Sequence, residues 1–102
     1  LFILTLGGDG SRLFLGDKQS GIAMTAAAPA IDDLADTVGA GDTYMASILC
    51  WILENDVLSR AALAGIDETP LAGAAARAGE AAAINCRRSG CNPPWREELV
   101  NV

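Results

Sequence analysis

The spacing of apolar positions changes character twice along this chain, and each change predicts a different kind of element. Residues 1–6 form a nearly unbroken apolar run that reads as a buried strand. Residues 12–15 and 21–25 read as two further short strands, joined by the turn-rich stretch Gly16, Asp17, Lys18, Gln19 and Ser20. Residues 26–30 are an alanine-rich connector ending around Pro29, and residues 31–35 are expected to form a short strand feeding a glycine turn. The period then lengthens. Met45, Ile48, Leu49, Ile52 and Leu53 recur at helical spacing, which predicts one apolar stripe on a helix of roughly three turns beginning near Gly41. A second short helix is expected over residues 57–64, stopped by Gly65. Thr69 as N-cap and Pro70 at the first helical position open a third, over residues 70–85. Its alanines at 74, 75, 78, 81 and 82 favour close packing and leave space for a flat base. Gly90, Pro93 and Pro94 break the chain before a polar tail over residues 95–102, and no internal repeat is evident.

Size and charge narrow the picture. A chain of 102 residues is one domain at most, with a modest core unless something else covers it. It opens on Leu1 inside an apolar run with no charged region before it, too short to span a bilayer. We therefore expect a strand entered midway, and a fragment of a longer protein. Thirteen acidic residues against seven basic ones give a net charge of −6, which argues against a nucleic-acid groove or an anionic membrane surface. Cys50, Cys86 and Cys91 have no histidine to join them in a tetrahedral zinc site, so reduced thiols and a cytoplasmic location are the expectation. Cys86 and Cys91 flank Gly90 closely enough to permit a bridge, and Trp51 and Trp95 read as packing residues.

The candidate chemistry lies in the run Asp36, Thr37, Val38, Gly39, Ala40, Gly41, Asp42. Two glycines around an alanine let the backbone turn tightly, and the helix behind aims unpaired N–H groups and its positive dipole end at that spot. Read from the residues alone, this is either an ordinary glycine loop with Asp42 favoured at a helix start, or an anion-binding turn with a catalytic carboxylate. A carboxylate beside a bound anion asks for a chemical reason, and proton abstraction from a hydroxyl attacking phosphorus supplies one. Gly7, Gly8, Asp9 and Gly10 follow a strand, but with no lysine they are not a Walker loop, and with no helix after them not a dinucleotide fingerprint. By themselves they are a glycine turn between strands. Asp36 alone reads as a turn-capping residue, and Arg87 with Arg88 as a solvated pair.

Taken together, the Asp36–Asp42 run, Thr5 to Gly10 upstream, and Ala81-Ala82-Ala83-Ile84-Asn85 through Arg88-Ser89-Gly90 downstream resemble the ribokinase-like (PfkB) family of carbohydrate and nucleoside kinases, most closely its fructokinases. The resemblance covers essentially the whole chain. It implies an α/β fold, residues 1–102 being the carboxy-terminal portion of the ATP-binding and catalytic domain of a three-layer α/β/α sandwich, with the sugar-binding residues and lid before Leu1. It implies ATP-dependent phosphorylation of a sugar hydroxyl, with Mg2+ on the nucleotide, Asp42 as the base, and Gly39, Ala40, Gly41 and Asp42 as an anion hole. Thr5, Gly7, Gly8, Asp9, Gly10 and Gly41 would border the nucleotide. Asp36, Val38, Asn85, Arg88 and Gly90 would surround a monovalent cation, potassium, mostly through backbone oxygens. The partners implied are a small sugar and ATP, not nucleic acid or membrane, with a homodimer open to the full-length enzyme. The acceptor stays open between fructose, a nucleoside and a 2-keto-3-deoxysugar acid, as does a non-catalytic nucleotide-binding or interaction fragment. The stretch Cys86-Arg87-Arg88-Ser89-Gly90-Cys91 departs from the ribokinase pattern in composition.

Overall fold

Three short strands and three helices account for the regular structure of a computed structural model that describes residues 1–16 and 21–99. The strands β1 (Phe2–Thr5), β2 (Ser11–Leu15) and β3 (Ile22–Ala26) form an antiparallel sheet in the order β1-β2-β3. Its register pairs Ile3 with Leu13 and Leu13 with Met24, so these side chains project to one face. The helices are α1 (Ala40–Glu54), α2 (Arg60–Ala64) and α3 (Glu68–Cys86). The turn expected beyond Gly16 and the last residues of the expected tail, 100–102, lie outside the described residues. Within the remainder of that tail, Arg96–Glu98 makes a 3-10 turn.

The alanine-rich α3 is the centre of the packing. Leu71 and Ala75 meet Leu13 and Leu15 of the sheet, with Ile3, Ile22, Met24 and Ala26 around them. Ala74 and Ala78 meet Tyr44, Ile48 and Ile52 of α1. Small residues on two faces let a single helix touch both neighbours closely, and Ile3 reaches both clusters. The helices therefore cover one face of the sheet. On its other face Phe2 and Phe14 pack with ring centroids 5.9 Å apart, and the Arg12 guanidinium lies 5.4 Å from the Phe14 centroid.

The structure changes four expectations about the elements and a fifth about Trp95, which was expected to pack but is 78% exposed. The buried stripe of α1 is Tyr44, Ile48 and Ile52, while Met45, Leu49 and Leu53 are 41%, 52% and 65% exposed. The apolar arc is wider than the contact α3 offers, and Tyr44 turns the helix because its hydroxyl meets the buried Ser11 Oγ at 2.8 Å. Residues 31–35 are not a strand: Ala35 N–H and Asp36 N–H both donate to the Cys86 carbonyl, at 2.8 and 3.1 Å, and cap the end of α3 instead. An ion pair of Arg87 with Asp33 at 3.3 Å holds the same connector. The second helix starts at Arg60, where Ser59 Oγ accepts from Ala62 N–H at 3.1 Å, and it closes at Gly65 as expected. The third starts at Glu68 rather than Pro70, with Asp67 at the cap position, because a proline in the first turn removes only an N–H with no helical acceptor.

Candidate active site

The segment between the connector and α1 closes into a tight turn before the helix begins. Ala40 N–H donates to the Thr37 carbonyl at 3.2 Å, and Gly39 follows the left-handed path with φ 80°. A Cβ on Gly39 would lie 2.4 Å from Cys91 Sγ, so both the dihedral and the neighbour exclude a side chain there. The first helical bond runs from Thr43 N–H to the Gly39 carbonyl at 2.9 Å. That leaves Gly41 and Asp42 N–H without an acceptor among the described residues, at the positive end of a 15-residue helix. The Asp42 carboxylate is exposed in the same first turn.

The glycine loop between β1 and β2 is held by its own backbone. Leu6 N–H donates to the Gly10 carbonyl at 2.8 Å, Asp9 N–H to Leu6 at 3.1 Å, and Gly10 N–H to Gly7 at 3.1 Å. Gly7 and Gly8 face open space, with nothing within 4 Å of where a Cβ would stand. Backbone alone is presented to whatever approaches.

Loop and turn border one cleft of about 630 Å³. Thr5, Gly7, Gly8 and Gly10 line it from the sheet, residues 27–31 from the connector, Ala40, Gly41 and Tyr44 from α1, and Ala75, Gly79, Ala82, Ala83 and Cys86 from α3. Among the described residues that line it there is no charged side chain, so attraction for an anion must come from N–H groups and the α1 terminus. The alanine face of α3 gives a flat apolar wall. Burial pushes the Tyr44 phenol above its ordinary range, against the opposing effect of its hydrogen bond with Ser11.

Of the residues singled out from the sequence, Thr5, Gly7, Gly8, Gly10, Ala40 and Gly41 line this cleft, whereas Asp9, Gly39 and Asp42 do not. Asp36, Val38, Asn85 and Gly90 come together behind the turn. Asp36 Oδ1 accepts from Val38 N–H at 3.0 Å and Oδ2 from Gly90 N–H at 3.2 Å, while Asn85 Nδ2 donates to the Val38 carbonyl at 2.8 Å. The Arg88 side chain is engaged elsewhere, with the carbonyls of Asn92 and Pro93 and the Glu98 carboxylate. Cys50, Cys86 and Cys91 are free thiols. Sequence reasoning overlooked residues 27–31 as a wall of the cleft, and the Ser11–Tyr44 pair. The lack of charge and bulk across residues 26–30 was the signal for the first; the second pair is distant in sequence and left none.

No curated protein matches the chain. Residues 1–98 match the family model described as pfkB family carbohydrate kinase. A glycine loop and a helix-opening turn with unpaired N–H groups border one uncharged cleft, and the family match spans nearly all of the sequence: the chain belongs to the pfkB family of carbohydrate kinases.

Proposed function

We propose that residues 1–102 form the carboxy-terminal, nucleotide-binding portion of a catalytic domain that transfers the terminal phosphoryl group of ATP to a sugar hydroxyl, with fructose as acceptor. The observation that carries this reading is the pair of unpaired N–H groups on Gly41, which lines the cleft, and Asp42, whose exposed carboxylate stands in the same helical turn. The base and ribose lie along the small residues of α3 and residues 27–31, and the phosphates follow the backbone of Gly7, Gly8 and Gly10 toward the turn. Gly41 and Asp42 N–H meet the charge that grows on the phosphoryl oxygens, and Ala40 shapes that hole through its bond to Thr37. Asp42 receives the proton of the acceptor hydroxyl. A carboxylate is a weak base for an alcohol, so it takes the proton late, as the new O–P bond acidifies the oxygen. Mg2+ enters with the nucleotide. The Asp36 carboxylate and the Val38 carbonyl, drawn together behind the turn with Asn85 and Gly90, are hard oxygen donors suited to a monovalent cation whose charge would stiffen the turn. The uncovered face of the sheet takes the third layer of the sandwich.

The test is Asp42→Asn in the full-length protein. It keeps size and most hydrogen bonding but removes the proton acceptor, so turnover should fall by ~10²–10⁴ with little change in ATP affinity. Steady-state kinetics with fructose and other sugars measure this. A variant that keeps more than about a tenth of wild-type turnover refutes the assignment.

A further inference from the structure

Val38 is the last residue before the left-handed Gly39, so the tilt of its peptide sets the direction in which Gly41 and Asp42 N–H point. Packing does not set that tilt, because the Val38 side chain is 56% exposed. Hydrogen bonds do. The bond from Val38 N–H to Asp36 Oδ1 is local and travels with the turn. What ties the turn to the body of the protein is longer in sequence: Asp36 Oδ2 to Gly90 N–H, and Asn85 Nδ2 to the Val38 carbonyl. Asn85 is 0% exposed, sits in the last turn of α3, and accepts with Oδ1 from Asn92 N–H at 2.8 Å. A carbonyl can only accept and a backbone N–H can only donate, so these two partners fix which way the amide faces. Cys91 Sγ packs on Gly39 between the two anchored residues Gly90 and Asn92.

We infer that Asn85 is the positioning residue of the anion turn, its buried amide joining the Val38 carbonyl to the chain at Asn92 and so fixing how the Gly41 and Asp42 N–H groups are presented. The inference rests on the phosphoryl-transfer reading above. Asn85 touches neither nucleotide nor acceptor. It acts through Val38, on an element that α1 and the sheet already hold, and a turn displaced by about an ångström misplaces donors whose value lies in the transition state.

Two variants of the full-length protein test this. Asn85→Ser removes the reach to both partners, and Asn85→Asp keeps the shape and the acceptor for Asn92 while removing the donor to Val38. Each is measured for kcat and KM with ATP and fructose, and for amide hydrogen exchange without ligand. Expected are a fall in kcat of ~10–10² with KM for ATP within about threefold, and exchange at least about tenfold faster at residues 37–42 with the rest of α3 unchanged. Exchange and kcat both within about twofold of wild type in a folded variant overturn the inference, as does faster exchange along the whole of α3, the mark of a packing role. The two readings fail separately. Loss of turnover in Asp42→Asn without loss in the Asn85 variants defeats only the role of Asn85. Unimpaired turnover in Asp42→Asn defeats Asp42 as the base, and the exchange measurement then judges on its own whether Asn85 holds the turn.

Discussion

Gly10 combines two demands that only a residue without a side chain meets. Its φ is 89°, and a Cβ would stand 2.1 Å from the Ala26 carbonyl oxygen, a backbone atom fixed by the β2–β3 ladder. Gly10→Ala must either strain this dihedral or part the two strands, and a loss of about 2 kcal/mol or more is expected from chemical denaturation. An unchanged midpoint would show that the loop yields freely. Tyr44 allows a cleaner measurement, because the protein has one tyrosine and tyrosinate absorbance reports on it alone. Burial raises its pKa above the ordinary phenol value of about 10, so the absorbance midpoint of the native protein should lie above that value. The unfolded chain then loses this proton first. Stability from this group is intact below pH about 10 and declines as pH rises from there through the native titration. Tyr44→Phe should abolish that decline while leaving Ser11 Oγ without its partner, and melting curves between pH 8 and 11 would separate the two effects. A native midpoint at or below 10 would mean that water reaches the phenol.

Among the elements, α3 has the least room for change. Ala78 is fully buried between α3 and α1, whereas Ala76 on the same helix faces solvent. Ala78→Leu is expected to cost about 1–3 kcal/mol or more by overpacking, and Ala76→Leu to stay within about 0.5 kcal/mol, both read from thermal or urea unfolding. Equal effects would mean that the α1–α3 seam is looser than drawn. This helix also shows what could be read in advance. The alanine positions were plain in the sequence, and so was their use, since small residues at helical spacing leave few other roles. The strands were equally plain, each within a residue or so of its observed ends. Residues 31–35 were not: their short apolar content suits a strand, but the Cys86 carbonyl, far away in sequence, takes the N–H groups of Ala35 and Asp36. The orientation of α1 was hidden for a related reason. Tyr44, Met45, Ile48, Leu49, Ile52 and Leu53 make an arc with two candidate faces, and only the position of Ser11 and of Ala74 and Ala78 selects between them. At the site, the glycines announced the turn and the loop through local chemistry. The grouping behind the turn was legible only through the family resemblance, and its hydrogen bonds were not, because those of Asn85 and Arg88 depend on where Val38 and Glu98 come to rest.

At the scale of the whole molecule, two apolar surfaces among the described residues remain in water. One is the outer face of the sheet, where Phe2 and Leu4 are exposed, and the other is the strip Met45, Leu49 and Leu53 on α1. No helix is long and apolar enough to cross a membrane among the described residues, so membrane-spanning helices do not account for these surfaces. On the proposed reading, in which residues 1–102 are the nucleotide-binding portion only, they are expected in isolation to self-associate and to leave fructose unphosphorylated. Size-exclusion chromatography over a concentration series and an assay for sugar phosphate would check both. A stable monomer with turnover near that of the full-length protein would contradict them. Substituting Leu49→Glu should shift the elution toward monomer if the α1 strip is a contact surface. One further consequence follows from Ile3. Lying two residues before Thr5 and packed into both clusters at once, it makes the glycine loop, the sheet and the two long helices a single mechanical body. A strand so seated cannot slide or tilt without unseating α1 and α3 together. The wall of the cleft then behaves as an anvil: on the proposed reading, the approach of an acceptor to the phosphate is travelled by the acceptor's side.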